Sequence, residues 1–507
     1  VHLRNRADPV VDPTPQSPQR INRRRFLAIG GAGILAAAAG SAIWLDRRLV
    51  PEPSVTVAER SFRSTSLRTP ALKVTTYGRT GDGLLFLEPQ SQAFSGLAGV
   101  IMDNDGEPVW IAPSQTNLTD LAVQELDGEP VLTYWSGQVL SPGYGKGVGV
   151  ILDSSYRRIA TVHAGSGLEA DLHEFHLTPR GTALMTAFST VRADLSSVGG
   201  PRDGYVLNGH VQEVDVHTGD VLLSWSALDH VPLTDSYLSA TKDSGGTGAT
   251  ADAAFDAYHL NSIDFDDDTL YVSSRHTHTI YAIDRSNGEV TWRMGGKRSQ
   301  FSIADDARFA WQHHVRKHEG GLFTVFNNNT NTQRTLDRSS GLFLNVDETA
   351  RTVTLRRRYG PTNRLSDAEG SVQPLSNGNV LIGWGTDPFV DEYDTGGAQV
   401  LGIEGLGVAS YRAFRSPWSA VPATDPDLAV EAAGASLGIF ASWNGATDVR
   451  SWRILSGSDP STLSSRTVVA RSGFETHMTI PRASFVQAQA LNGSRAVVGT
   501  SQVVRAG

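Results

Sequence analysis

DVHTGDVLLSW, residues 215–225, and DRSNGEVTW, residues 284–292, are two copies of one pattern. An aspartate opens a turn that carries Thr-Gly or Asn-Gly, and a β-rich run follows that ends in tryptophan. Glycine and asparagine accept the positive φ that hairpin turns need, and aspartate bonds its own turn, so the pattern encodes a hairpin. Working outward, further copies are DNDGEPVW from Asp103, DSSYRRIATV from Asp153, DETARTVTL from Asp347 and DTGGAQVL from Asp394. A second hairpin alternates with the first: LDGEPVLTYW from Leu126, LTPRGTALMTAF from Leu177, FDDDTLYVSSR from Phe265, HEGGLFTVFNN from His318 and PLSNGNVLIGWG from Pro374. Two alternating hairpins with a period of roughly 45–70 residues imply radial repetition. Four-stranded blades around an axis bury each sheet face against its neighbours. The expected fold class is therefore all-β, a six-bladed β-propeller over residues 72–418, one blade for each outer hairpin.

The pattern breaks in three places. Val231 to Tyr258 is too long for a simple connection and reads as a lid or a disordered insert. Residues 427–507 read as about seven short strands, including LGIFASW, VRSWRILSG and FVQAQALN. With Trp443 and Trp452 as candidate core aromatics, that region is expected to form a fibronectin-III-like β-sandwich. At the other end, residues 1–50 combine a polar, disorder-prone n-region with a twin-arginine signal, Asn22-Arg23-Arg24-Arg25-Phe26-Leu27, and residues 51–71 read as a polar linker. The apolar run from Phe26 to Leu45 would span roughly 30 Å as a helix, long enough to remain as a membrane anchor. The expectation is export by the Tat machinery to an extracytoplasmic location, secreted or held by the N-terminal segment.

Composition narrows the function. A formal charge of −9 argues against a nucleic-acid partner, which calls for a basic surface. With no cysteine, the chain has no disulfide, thiolate nucleophile or Cys-based metal site.

Four short motifs place polar groups on inner-strand positions: DLHEFH (His173, Glu174, His176), AYHLNSIDF (His259, Asn261), VSSRHTH (Arg275, His276, His278) and FAWQHHV (Gln312, His313, His314). In a propeller the innermost strands border one channel, so such motifs converge. A strand histidine is more often structural than catalytic, and His176, His276, His278 and His318 are read that way. By period-two alternation, His259 and Asn261 share one strand face.

The runs HLNSIDF, DDTLYVSSRHT, FAWQHH and EGSVQPLSNGNVLIGWG resemble the arylsulfotransferase family, bacterial enzymes that use no nucleotide sulfate donor. The resemblance covers roughly Leu72 to Trp418. It implies transfer of a sulfuryl group from an aryl sulfate to an acceptor phenol, through a nucleophilic histidine in the Gln-His motif, His313. It further implies sulfuryl-binding roles for His173, His259, Asn261 and Arg275, and no cofactor. Relatives often carry another residue where His314 stands, so the choice of His313 rests on Gln312. An ordinary imidazole is about three-quarters neutral at pH 7, so a lone pair is available. Arginine can hold two sulfuryl oxygens, and a protonated His173 or His259 could protonate the leaving phenol oxygen.

Two other readings compete. The same histidines with Glu174 could bind zinc in a hydrolase, although Arg275 would repel the ion. A propeller can also bind a ligand or partner without catalysis. A nucleotide-dependent transferase is disfavoured, because SPGYGKGVG at 141–149 has neither the phosphate-loop motif nor a following helix. Exhaustive chelation separates the first rival: transfer from an aryl sulfate should survive it, whereas loss with recovery on zinc addition would mark a metal-dependent hydrolase.

Overall fold

A computed structural model describes residues 58–91, 96–97, 99–113, 117–241, 245–330 and 338–506. The Tat signal and the membrane-anchor expectation lie outside these residues. No helix among the described residues is long and apolar enough to cross a membrane.

The chain is all-β and its sheets are antiparallel apart from one short outer pair. The repeated aspartates explain the hairpins. Each accepts backbone N–H groups within its own turn: Asp103 from Asp105 and Glu107, Asp153 from Ser155 and Arg157, Asp215 from His217 and Thr218. Asp284, Asp347 and Asp394 do the same. The turn glycines supply left-handed backbone, as at Gly219 (φ 78°) and Gly288 (φ 78°).

The innermost strands are β1 (Asn117–Leu126), β2 (Ala170–Leu177), β3 (Leu260–Asp266), β4 (His313–His318), β5 (Ser371–Pro374) and β6 (Ala409–Ser416). Each packs on the next, and β6 packs on β1, which gives a closed, propeller-like ring. The ring is closed by strands from its two ends. β6 pairs with Leu84–Ser91, and Gln399–Glu404 pairs with Lys73–Thr76. Strands from Asn117 to Ser226 run on as one eight-stranded sheet, but only the pair Gly147–Ala170 joins its halves.

Beyond the ring, two antiparallel sheets enclose a common core that includes Ile439, Trp452, Ile454, Val486 and Ala488. One sheet holds Asp427–Ala433, Ser436–Ser442 and Glu475–Pro481; the other is built on Ser451–Gly457 and Phe485–Leu491. Asn444 exchanges bonds with the Ile111 backbone, and Tyr156 donates to Gly445 O, so this unit is docked on the ring.

The 51–71 segment is more than a tether where it is described. Glu59–Ser61 pairs with Arg68–Pro70, Arg60 bonds both Glu107 carboxylate oxygens, and Glu475 accepts from the Arg63 and Ser64 amides. These partners lie far away in sequence, so local composition gives no sign of them. The described residues of the 231–258 interruption likewise pack down: the Phe255 amide donates to the Tyr205 carbonyl, the Phe255 carbonyl accepts from the Leu207 amide, and Phe255, Ala257 and Tyr258 are buried.

One buried ion network ties the inner strands together. Arg412 of β6 donates to Asp120 of β1, to both Glu174 oxygens (2.9 and 3.1 Å) and the His173 carbonyl (2.8 Å) of β2, and to the Asn261 carbonyl (3.1 Å) of β3. Arg316 of β4 meets the same Glu174 at 2.9 and 3.0 Å. Burial by itself would raise the Glu174 carboxyl, but Arg316 and Arg412 hold it down at about 2. Removing Arg412 leaves buried Asp120 without its cation and buried Glu174 with Arg316 alone. Arg412→Leu should therefore cost about 3–5 kcal/mol in equilibrium denaturation. A loss below about 1 kcal/mol, the range of an exposed ion pair, would show that the network does not hold the ring.

Candidate active site

At the level of this network the inner strands depart from regular pleating. β1 bulges between Thr119 and Ala122, β2 between Ala170 and Phe175, β3 between Leu260 and Ser262, β4 between His313 and Arg316, and β6 between Ser410 and Ala413. Asp120, His259 and His314 adopt left-handed backbone, at φ 60°, 50° and 47°. Bulges re-aim side chains that alternation would send elsewhere. The alternation argument for His259 and Asn261 consequently does not apply. His259 stands just before β3 in left-handed conformation, and Asn261 sits in the bulge.

His173, His259, Asn261, Arg275 and His313 are all buried. The His173 and His259 rings lie 4.8 Å apart, centroid to centroid, and His259 and His276 are also 4.8 Å apart. Arg275 stacks on Trp311 at 5.1 Å and is anchored by bonds from Nη2 to the Asp367 carbonyl (2.9 Å) and from Nη1 to His276 Nε2 (3.0 Å). Burial lowers its guanidinium to about 10, so it stays cationic at neutral pH. Asn261 Nδ2 donates to the Gln312 carbonyl at 2.7 Å, which fixes the peptide leading into His313. One of its donors is thereby committed to positioning rather than to an incoming group.

Each of the three histidines is held at Nδ1. His173 donates to Asp171 Oδ2 (2.6 Å) and His259 to Asp256 Oδ2 (2.7 Å), both carboxylates. His313 instead meets the neutral amide oxygen of Asn328 at 2.7 Å, while its Nε2 accepts a long bond from the Glu369 amide at 3.3 Å. Burial, then the nearby Arg275, pushes His313 well below the ordinary imidazole range despite the Asn328 bond. Burial, then His173 and Arg275, lowers His259 likewise. Both rings are therefore neutral at physiological pH.

His314 belongs elsewhere. Its Nδ1 accepts from the Val372 amide at 3.3 Å, its ring lies 5.5 Å from Phe414, and its field comes from Arg316 and Arg412. Gln312 points away from the histidines, its Nε2 bonding Ser273 Oγ and the Ser274 and Thr279 carbonyls. Its part is to lock β4 against the preceding sheet. His276, read from the sequence as structural, is a hydrogen-bonded buried residue that bridges Arg275 and the Asp256 carbonyl within the cluster. His176 lies against Phe265, His278 stacks on Tyr237, and His318 bonds Thr324 at the far end of β4.

Asp171, Asp256, Asn328 and Trp311 were not singled out from sequence. DLHEFH contains Asp171, and its spacing two before His173 was a usable signal. Asp256 comes from the 231–258 interruption, and nothing local marks it as a histidine partner.

Asp256, His259 and His276 offer ligand atoms within 4.8 Å of one another. They suit a dication poorly. His259 Nδ1 already bonds Asp256 Oδ2, His276 Nδ1 bonds the Asp256 backbone carbonyl, and a guanidinium bonds His276 from the other side. The arrangement suits an anion: a fixed cation beside neutral imidazoles in a buried setting.

No curated protein matches the chain. Among solved structures, similarity extends to a Bacteroides caccae protein of unknown function (13% identity, 66% of this chain and 98% of that one, TM-score 0.40). It extends also to a periplasmic gluconolactonase of Pseudomonas aeruginosa (12%, 84% and 97%, TM-score 0.36). A third is a catalytically inactive virginiamycin B lyase of Staphylococcus aureus with quinupristin (8%, 73% and 95%, TM-score 0.33). At such scores these likenesses carry no argument about activity. The family Arylsulfotransferase (ASST) matches residues 122–405, more than half of the chain, from within β1 to just short of β6. The chain belongs to the arylsulfotransferase family.

Proposed function

We propose that this protein moves a sulfuryl group from a phenolic sulfate ester to an acceptor phenol, without a nucleotide, by ping-pong transfer through sulfated His313. The observation that carries the reading is His313 itself: buried, neutral, bonded at Nδ1 to an amide oxygen and set beside Arg275, His259 and His173. Nε2 attacks sulfur and the S–O bond to the aryl oxygen breaks. The transition state is loose, so positioning and charge stabilisation do most of the work. Arg275 holds the sulfuryl oxygens. His259 is neutral, so the proton for the departing oxygen is assigned to His173, whose Nδ1 is backed by the Asp171 carboxylate. The phenol leaves, an acceptor phenol enters, and its proton returns to His173 as sulfur passes to the new oxygen. The 3.3 Å bond from the Glu369 amide to Nε2 is long enough to give way to substrate.

The ring is read as a six-bladed β-propeller, and the unit after it as a fibronectin-III-like sandwich. The twin-arginine motif supports export through the Tat machinery, with the apolar segment cleaved or kept as an anchor.

Two outcomes test this. With a chromogenic aryl sulfate and no acceptor, His313→Asn should abolish both protein sulfation and turnover, at least about 10³-fold, while His314→Asn keeps both. Labelling kept in the first variant and lost in the second would move the nucleophile. Because His313 is held below its ordinary range, its reactive neutral form persists under mildly acidic conditions. The acid limb of the phenol-release profile should therefore lie well below pH 6.5, and a limb at or above about 6.5 would contradict a buried neutral nucleophile.

A further inference from the structure

The Nδ1 partners differ in kind: carboxylates for His173 and His259, an amide for His313. Which end of the Asn328 amide faces His313 is settled by its other bonds. Its Nδ2 donates to the Ser366 carbonyl at 3.2 Å and the Glu369 carbonyl at 3.0 Å. Reversing the amide would set its oxygen against two carbonyl oxygens, so Oδ1 faces the ring. An amide oxygen only accepts, so Nδ1 carries the proton and Nε2 the lone pair. The Glu369 amide, donating to Nε2, fixes the same tautomer from the other side. Asn328 is fully buried, and Ser339 Oγ bonds its carbonyl at 2.6 Å and accepts from the Ser366 amide at 2.8 Å. The clamp is therefore rigid.

We infer that Asn328 is a positioning residue that keeps the Nδ1 proton on His313 throughout the cycle, so that sulfated His313 stays a competent sulfuryl donor. The inference rests on the reading of His313 as nucleophile. When Nε2 bonds sulfur and the aryl oxygen leaves with the proton of His173, the ring retains its Nδ1 proton and becomes cationic beside the anionic sulfonate. In the second half-reaction the N–S bond breaks, its electron pair returns to Nε2, and the leaving group is neutral imidazole. Had Nδ1 lost its proton, the leaving group would be an imidazolate, a far stronger base that departs poorly. An amide oxygen accepts the hydrogen bond without taking the proton; a carboxylate in its place would draw the proton towards itself.

The test is Asn328→Asp, nearly isosteric, with the two half-reactions timed separately in the full chain. Sulfation by a chromogenic aryl sulfate should still occur, with its acid limb moved to higher pH, because a carboxylate favours the imidazolium. Transfer from the sulfated protein to added phenol should slow by at least about tenfold more than sulfation does. Equal slowing of both halves with an unmoved acid limb would reduce Asn328 to a structural residue and overturn the inference. A wild-type protein that never becomes sulfated on His313 would instead sink the reading beneath it. Nitrogen-15 NMR of histidine-labelled wild-type protein gives a variant-free check: His313 should show a protonated Nδ1 and a bare Nε2 at pH 7–8. The opposite tautomer would overturn the inference whether or not the aspartate variant folds.

Discussion

The bidentate bond between Arg412 and Glu174 is the constraint on which the rest of the structure depends. A ring of small sheets has no continuous layer to hold its centre, and its inner strands carry polar groups that need partners away from water. Arg412 reaches Asp120, His173, Glu174 and Asn261, while Arg316 bonds Glu174 from another strand. Five inner strands thus meet through two guanidiniums and two carboxylates. Their mutual satisfaction makes the burial tolerable, and it fixes the backbones of His173 and Asn261 directly. The site is held by the same bonds that hold the ring.

That network sits where the inner strands bulge. A regular strand would send alternate side chains into the neighbouring sheets. The bulges near Asp120, His173, Asn261, His314 and Arg412 break that alternation at one level, so polar groups crowd the axis while apolar residues fill the spaces between sheets. Chemistry is then divided by small differences among similar groups. Three buried histidines share an orientation device at Nδ1, yet His173 and His259 bond carboxylates while His313 bonds an amide oxygen that accepts its hydrogen bond without taking the proton.

Much of the fold was legible because its signal is local. An aspartate that bonds amides two to four residues onward makes a hairpin wherever it stands, and the copies at Asp215 and Asp284 show this plainly. The histidine motifs were legible through their resemblance to a family, which the match over residues 122–405 bears out. What could not be read was what depends on distance or irregularity. Arg412 looks like any arginine in a strand until Glu174, 238 residues away, is beside it. Asp256 lies in a stretch that composition marks as a lid or disorder, and Asn328 in a run of three asparagines that reads as a turn. His259 and Asn261 were placed together by alternation, which the bulge at Asn261 invalidates.

The central claim is that the sulfuryl group rests on the protein between two phenols. Rapid mixing of the purified protein with excess chromogenic aryl sulfate, with neither nucleotide nor acceptor present, tests it most directly. The account predicts a burst of about one phenol released per chain, then near arrest, with release resuming when an acceptor phenol is added. Absence of any burst, with release beginning only once both substrates are present, would mean direct transfer and contradict the account.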